Sequence, residues 1–143
     1  DLSGSMAAED FELKGKRVNR VQIAKEVLGR FIDSRVNDRI GLVAFARQAY
    51  IAAPLTLDHD FLRGNLDRID LGQVEDGTAI GDAVALGAEK LRDATEQRVD
   101  PSRRIKSKVI VLLGTDLAGK PLAGSNGSVG AGAGSASSAP PGT

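Results

Sequence analysis

Residues 108–116 read KVIVLLGTD. Val109 to Leu113 form an unbroken apolar run, whereas a strand with one wet face would alternate apolar and polar side chains. The pattern is that of a strand buried on both faces in a parallel sheet. The run stops at Gly114, which leaves Thr115 and Asp116 just past the carboxyl end of the strand. In open α/β sheets ligands bind in the crevice outside those ends.

Upstream, helical and strand-like stretches alternate, which makes the run one strand of an α/β layer fold. The polar stretch TEQRVDPSRRIK (95–106) contains Pro101 and reads as an exposed loop. Before it, EDGT (75–78) opens a helix with Ile80, Val84, Gly87 and Leu91 on one face, and Ala79, Gly81, Ala83, Ala85 and Ala88 around it. Small residues of this kind let a helix lie close to a sheet. DHDFLRGNLDRI (58–69) is a short helix carrying Phe61, Leu62, Leu66 and Ile69, with His59 at its start. Two β-rich runs, Ile40 to Phe45 and Ala49 to Leu55, make a hairpin, and Pro54 marks the second as an edge strand. NRVQIAKEVLGRFIDSR (19–35) places Val21, Ala24, Leu28, Phe31 and Arg35 at helical spacing, with Gln22 three residues after an Asn19 cap. Tyr50 and the four phenylalanines fall at positions expected to face the core.

From Leu117 the chain is almost wholly Gly, Ala, Ser and Pro. Such a stretch buries too little apolar surface to offset an ordering entropy of roughly 1 to 2 kcal/mol per residue, so 117–143 is expected to be a disordered tail after a folded unit over 1–116. The 143 residues hold 19 Lys and Arg against 19 Asp and Glu, a balance that gives no net field toward nucleic acid or anionic lipid. The absence of cysteine excludes disulfides, thiolate metal sites and cysteine nucleophiles. No apolar run reaches the roughly 18 residues of a membrane span.

Oxygen chemistry remains, and it gathers in three places. The chain opens with DLSGSM, which sets Asp1, Ser3 and Ser5 on alternate positions. Thr78 precedes a helix, and Asp116 follows the apolar strand. A hydroxyl and a carboxylate converging at the strand ends suit a hard cation, and Mg²⁺ takes six oxygens at about 2.1 Å while keeping some waters. Each residue also has a plain structural reading: a turn for DLSGS, a helix N-cap for Thr78, a strand-end turn for Asp116.

These segments carry a resemblance. DLSGSM resembles the Asp-x-Ser-x-Ser signature of von Willebrand factor A (vWA) domains, and EDGTAIGDA (75–83) and VIVLLGTD (109–116) resemble that family's threonine and aspartate segments. GKRVNR, NDRIGLVAFARQAY and PLTLDHD extend the likeness toward the bacterial BatA-like aerotolerance (Bat) proteins. The resemblance implies a Rossmann-like α/β fold, a mostly parallel sheet with an antiparallel edge hairpin and flanking helices. It implies a metal-ion-dependent adhesion site with Mg²⁺ as the ion and Mn²⁺ or Ca²⁺ as alternatives. Ser3 and Ser5 would be direct ligands, Thr78 direct or through water, and Asp1 and Asp116 would hold coordinated waters. A partner protein's Asp or Glu would fill the last position, with MoxR-type ATPase assemblies or other Bat proteins as the implied partners, in a membrane-associated bacterial setting. No catalytic residue follows from it.

The same family carries a strand directly before its first Asp, further elements after its last, and Thr-Asp-Gly straight after the apolar strand. The 143 residues open at Asp1, and Gly114 stands before Thr115 and Asp116. The expectation is therefore an incomplete domain, truncated at both ends, and the extra Gly114 leaves the placement of Asp116 open. Two rivals to metal-dependent binding follow: a remnant that binds nothing, and a Mg²⁺-dependent phosphohydrolase using Asp1, for which no second acid or lysine stands at a recognisable spacing.

Overall fold

A computed structural model describes residues 1–72, 75, 77–96, 107–114 and 127–128. A 3-10 turn (Gly4–Ala7) leads into β1 (Phe11–Leu13), β2 (Lys16–Val18), α1 (Arg20–Asp33), β3 (Ile40–Phe45), β4 (Ala49–Thr56), α2 (His59–Arg68), α3 (Ile80–Glu96), β5 (Val109–Ile110) and β6 (Gly127–Ser128).

Helix α1 begins with the reciprocal cap that its sequence announces. Asn19 Oδ1 accepts from the Gln22 N–H at 2.9 Å, and Gln22 Oε1 accepts from the Asn19 N–H at 3.0 Å. Two otherwise orphaned donors are thereby satisfied. The helix buries Val21, Gly29 and Ile32. Phe31 is only half-buried, because the guanidinium of Arg35 covers its ring at 5.1 Å on the solvent side.

Strands β3 and β4 form the expected antiparallel hairpin, with irregularities in register on either side of Leu42. Helix α2 is capped by Asp58, whose Oδ1 accepts from the Phe61 N–H at 2.9 Å, and it buries Leu62 and Leu66. One core cluster joins Leu2, Met6, Val21, Ala44, Ala46 and Ile69; a second joins Ile32, Ala53, Leu62 and Leu66. Both tie α1 to the hairpin, so the helix and the sheet position the chain's first residues between them.

The structure corrects several expectations. Phe61 is 47% exposed, since Leu62 takes the inward position on α2. On α3 the buried position is Ala83 and Val84 turns outward, a rotation of one residue or about 100°. The apolar strand is not buried on both faces. Val109 is 48% exposed, while Ile110 faces α3 near Gly87, and no described element covers the Val109 side. The α/β class itself stands, and the ladders formed among the described residues are antiparallel pairs, β1 with β2, β3 with β4 and β5 with β6. The first two residues reach two further segments: the Leu2 N–H donates to Phe45 O at 2.7 Å and the Asp1 nitrogen to Leu113 O at 3.3 Å. Asp1 and Leu2 thus bridge Phe45, at the end of β3, and Leu113, three residues past β5.

Two elements were not foreseen. The β1–β2 hairpin turns at Lys14 and Gly15, with φ of 51° and 77°, the backbone a tight two-residue hairpin requires. Its signal was the Lys-Gly pair between Leu13 and Lys16. In the Gly/Ala/Ser/Pro-rich tail, Gly127 and Ser128 pair with Ile110 and Val109 as a strand, at odds with disorder at those two positions; the rest of 117–143 lies outside the described residues. Among the described residues no helix is long and apolar enough to cross a membrane.

Candidate metal site

The loop that follows this bridge is folded on itself. The Ser3 N–H donates to Asp1 Oδ1 at 2.8 Å, a short local turn that fixes the carboxylate beside the chain. Met6 N–H then donates to Ser3 O at 2.9 Å and starts the 3-10 turn, whose Met6 is buried against the first core cluster. This turn brings two hydroxyls together: Ser3 Oγ and Ser5 Oγ lie 3.2 Å apart, and Ser3 is buried to 4% exposure.

Oxygen donors so placed fit a hard cation. Adjacent corners of an octahedron with ligands at about 2.1 Å are about 3.0 Å apart, close to the separation of the two hydroxyls. The Asp1 carboxylate, two residues before Ser3 and bonded by the Ser3 N–H, adds the negative charge.

Thr78 is exposed and stands two residues ahead of α3, so Ala79 rather than Thr78 occupies the capping position. Its segment is anchored to the β3–β4 turn. Ala79 N–H donates to Ala46 O at 2.6 Å, and Arg47 N–H donates to Glu75 O at 3.0 Å. The Arg47 guanidinium also bonds Glu75 Oε2 at 2.7 Å. Gly77 is the close approach that permits this, since a Cβ there would lie 2.8 Å from Arg47 Cα. Phe45 and Ala46 are consecutive, so one strand end holds the Asp1–Ser5 loop through Leu2 and the Thr78 segment through Ala79. Thr115 and Asp116 lie outside the described residues.

Gly114, read from the sequence as an intrusion, has a role of its own. It is buried, and a Cβ on it would lie 2.8 Å from Asp1 Oδ2 and 3.2 Å from Asp1 Cβ. The missing side chain is what lets the end of β5 lie against the Asp1 carboxylate. Gly77 and Gly114 were both missed as parts of the site; a glycine beside each polar cluster was the available signal.

Helices packed on strands, with a carboxylate and paired hydroxyls at the strand ends, are the arrangement of a vWA-type interaction module. The chain belongs to the von Willebrand factor type A domain family, which matches residues 1–117. Solved structures similar to it include a BatB protein and two membrane proteins. An uncharacterized membrane-spanning protein from Vibrio fischeri is 43% identical with a TM-score of 0.61, covering 64% of this chain and 46% of that one. BatB from Bacteroides thetaiotaomicron is 29% identical with a TM-score of 0.57 (74% of this chain, 46% of that one). An aerotolerance-related membrane protein from Bacteroides fragilis is 28% identical with a TM-score of 0.59 (73% and 45%). An uncharacterized protein of Borreliella burgdorferi is 36% identical over 112 residues, 78% of this chain and 29% of that protein. The chain therefore spans less than half the length of each of these relatives.

Proposed function

We propose that the Asp1–Ser5 loop is the centre of a metal-ion-dependent adhesion site that captures an acidic side chain of a partner protein, and that the chain binds rather than catalyses. Ser3 and Ser5 would hold Mg²⁺ directly, with Mn²⁺ or Ca²⁺ as substitutes. Thr78 and Asp116 would complete the protein's share, and Asp1 would act through a coordinated water. When bound, the ion supplies an electrophilic position that a partner Asp or Glu fills. The side chains of this chain would orient that position and bring only two carboxylates, Asp1 and Asp116, toward it. Few protein charges around a divalent ion leave it attractive to an external carboxylate. Other Bat proteins or a MoxR-type ATPase assembly are the partners that this reading nominates.

The observation that carries it is the pair of serine hydroxyls 3.2 Å apart beside a carboxylate tied down by the Ser3 N–H. A hydrolytic role for Asp1 has less support, since the bond its carboxylate accepts is from backbone rather than from a lysine or a second acid. The test is a thermal melt in chelator and then in millimolar Mg²⁺, on the chain and on Ser3→Ala. At a hundredfold excess over Kd, a ligand of the folded state adds about 2.7 kcal/mol, an upward shift that the variant should lack. A cooperative melt that ignores Mg²⁺ refutes the metal; an equal shift in Ser3→Ala refutes the site.

A further inference from the structure

Away from the proposed metal site, β4 leaves one side of its backbone without a strand partner among the described residues. The pairing tells which groups face that side. Ala46 N–H donates to Gln48 O at 3.0 Å, so Ala46 and Gln48 face each other through hydrogen bonds, and the next pair, Phe45 with Ala49, does not. Phe45 O accordingly points away from β4 and accepts from Leu2. By the same alternation Ala49 and Ile51 direct their N–H and C=O groups to the outer edge of β4.

That edge runs beside a groove of about 430 Å³ between the start of β4 and α3, lined by Gln48, Ala49, Asp82, Ala85, Leu86 and Glu89. The helix side is apolar in the middle, at Ala85 and Leu86, and acidic at each end, at Asp82 and Glu89. Those carboxylates stand seven positions apart, two turns along one helix face. Glu89 pairs with Lys90 at 3.4 Å across an exposed bridge that a partner cation can replace, and no described cation pairs with Asp82. A strand edge flanked by a helix with acids at both ends of a small apolar floor selects an extended segment with cationic side chains. Main-chain bonds supply the affinity of such strand addition and the flanking pockets supply its specificity.

We propose that the groove between β4 and α3 is a second binding site, one that receives an extended, lysine- or arginine-bearing segment of a partner protein as an added strand on β4. Ala49 and Ile51 bond its backbone, and Asp82 and Glu89 hold its cations. The site needs no metal and is separate from the Asp1–Ser5 loop, so it stands or falls independently of the adhesion reading.

The test uses the full 143-residue chain and a fluorescein-labelled, end-capped peptide of alternating Lys and Val, read by anisotropy in chelator. Controls are the same peptide with Glu for Lys, and one with N-methyl groups on alternate residues, which keeps the charge but blocks strand pairing. The Lys peptide is expected to bind and the other two are not. Asp82→Asn with Glu89→Gln should weaken binding by about tenfold, since exposed ion pairs contribute at most about a factor of five each. Slowed amide exchange at Ala49 and Ile51 on binding would locate the added strand. Equal binding by the N-methylated peptide would reduce the site to a charged face, and no binding, or binding unaffected by the double substitution, would overturn the proposal.

Discussion

Gly77→Ala tests whether the β3–β4 turn organises the site. A Cβ at position 77 would lie 2.8 Å from Arg47 Cα, 3.0 Å from Arg47 Cβ and 3.2 Å from Arg47 N, so backbone rather than a flexible side-chain tip has to yield. Two bonds depend on that approach, Arg47 N–H to Glu75 O at 3.0 Å and Ala79 N–H to Ala46 O at 2.6 Å. Losing one or both bonds, at about 1 kcal/mol each, relieves most of an overpacking that otherwise costs about 1 to 3 kcal/mol, which puts the loss at about 2 to 3 kcal/mol. At about 3 to 4 °C per kcal/mol for a domain of this size, the midpoint of a calorimetric melt should fall by about 6 to 12 °C. Gly64→Ala is the matched control. It lies inside α2 with nothing within 4 Å of an added Cβ, and should raise stability by about 0.5 to 1 kcal/mol. Any response of the melt to Mg²⁺ should also shrink in Gly77→Ala, since Thr78 moves with the displaced segment. If Gly77→Ala melts within a degree of the unaltered chain, the clamp between residues 45–47 and 75–79 does not hold the site, and the reasoning fails.

Leu62 is fully buried where α1, α2 and β4 meet, so Leu62→Ala should cost about 3 to 5 kcal/mol in denaturant unfolding. A loss under about 1 kcal/mol would mean that the second core cluster is not packed as described. Asp10 is held below the ordinary carboxylate range chiefly by its hydrogen bond from Arg20, and by the nearby charges of Arg20 and Arg17. Its contribution is therefore present above the unfolded value, about 3.9, and is lost as the pH falls through the lower folded one. In acid melts Asp10→Asn should flatten the drop over that window, and an unchanged profile would show that the pair contributes nothing.

Local rules carried most of the sequence reading. The Asn19 and Gln22 cap, strand β3 from Ile40 to Phe45 and the edge position of β4 all follow from nearest neighbours and periodicity, and each stands in the structure as read. Where the reading failed, the deciding contact was distant or depended on one helical step. Phe61 and Leu62 are adjacent, and the sheet, absent from the helix's own sequence, decides which points inward. Val109 was assigned a buried face on the strength of an apolar run, but only the α3 side of β5 is covered by a described element. Of the candidate site, Asp1, Ser3, Ser5 and Thr78 were read as an oxygen set; the structure sets Asp1, Ser3 and Ser5 side by side and leaves Thr78 exposed. The approach of Gly114 to Asp1 joins positions more than a hundred apart, which no local pattern encodes.

The bond from the Asp1 nitrogen to Leu113 O ties together positions separated by 112 in sequence. Closing a loop of that length costs about 4 kcal/mol of chain entropy, from (3/2)RT ln n, before any contact is made in return. The β3–β4 hairpin and its two helices close far shorter loops and should form first. The Asp1–Ser5 loop is then among the last parts to assemble during folding, so a chain caught half-folded would hold the second core cluster while its Asp1 carboxylate and paired serine hydroxyls were still apart.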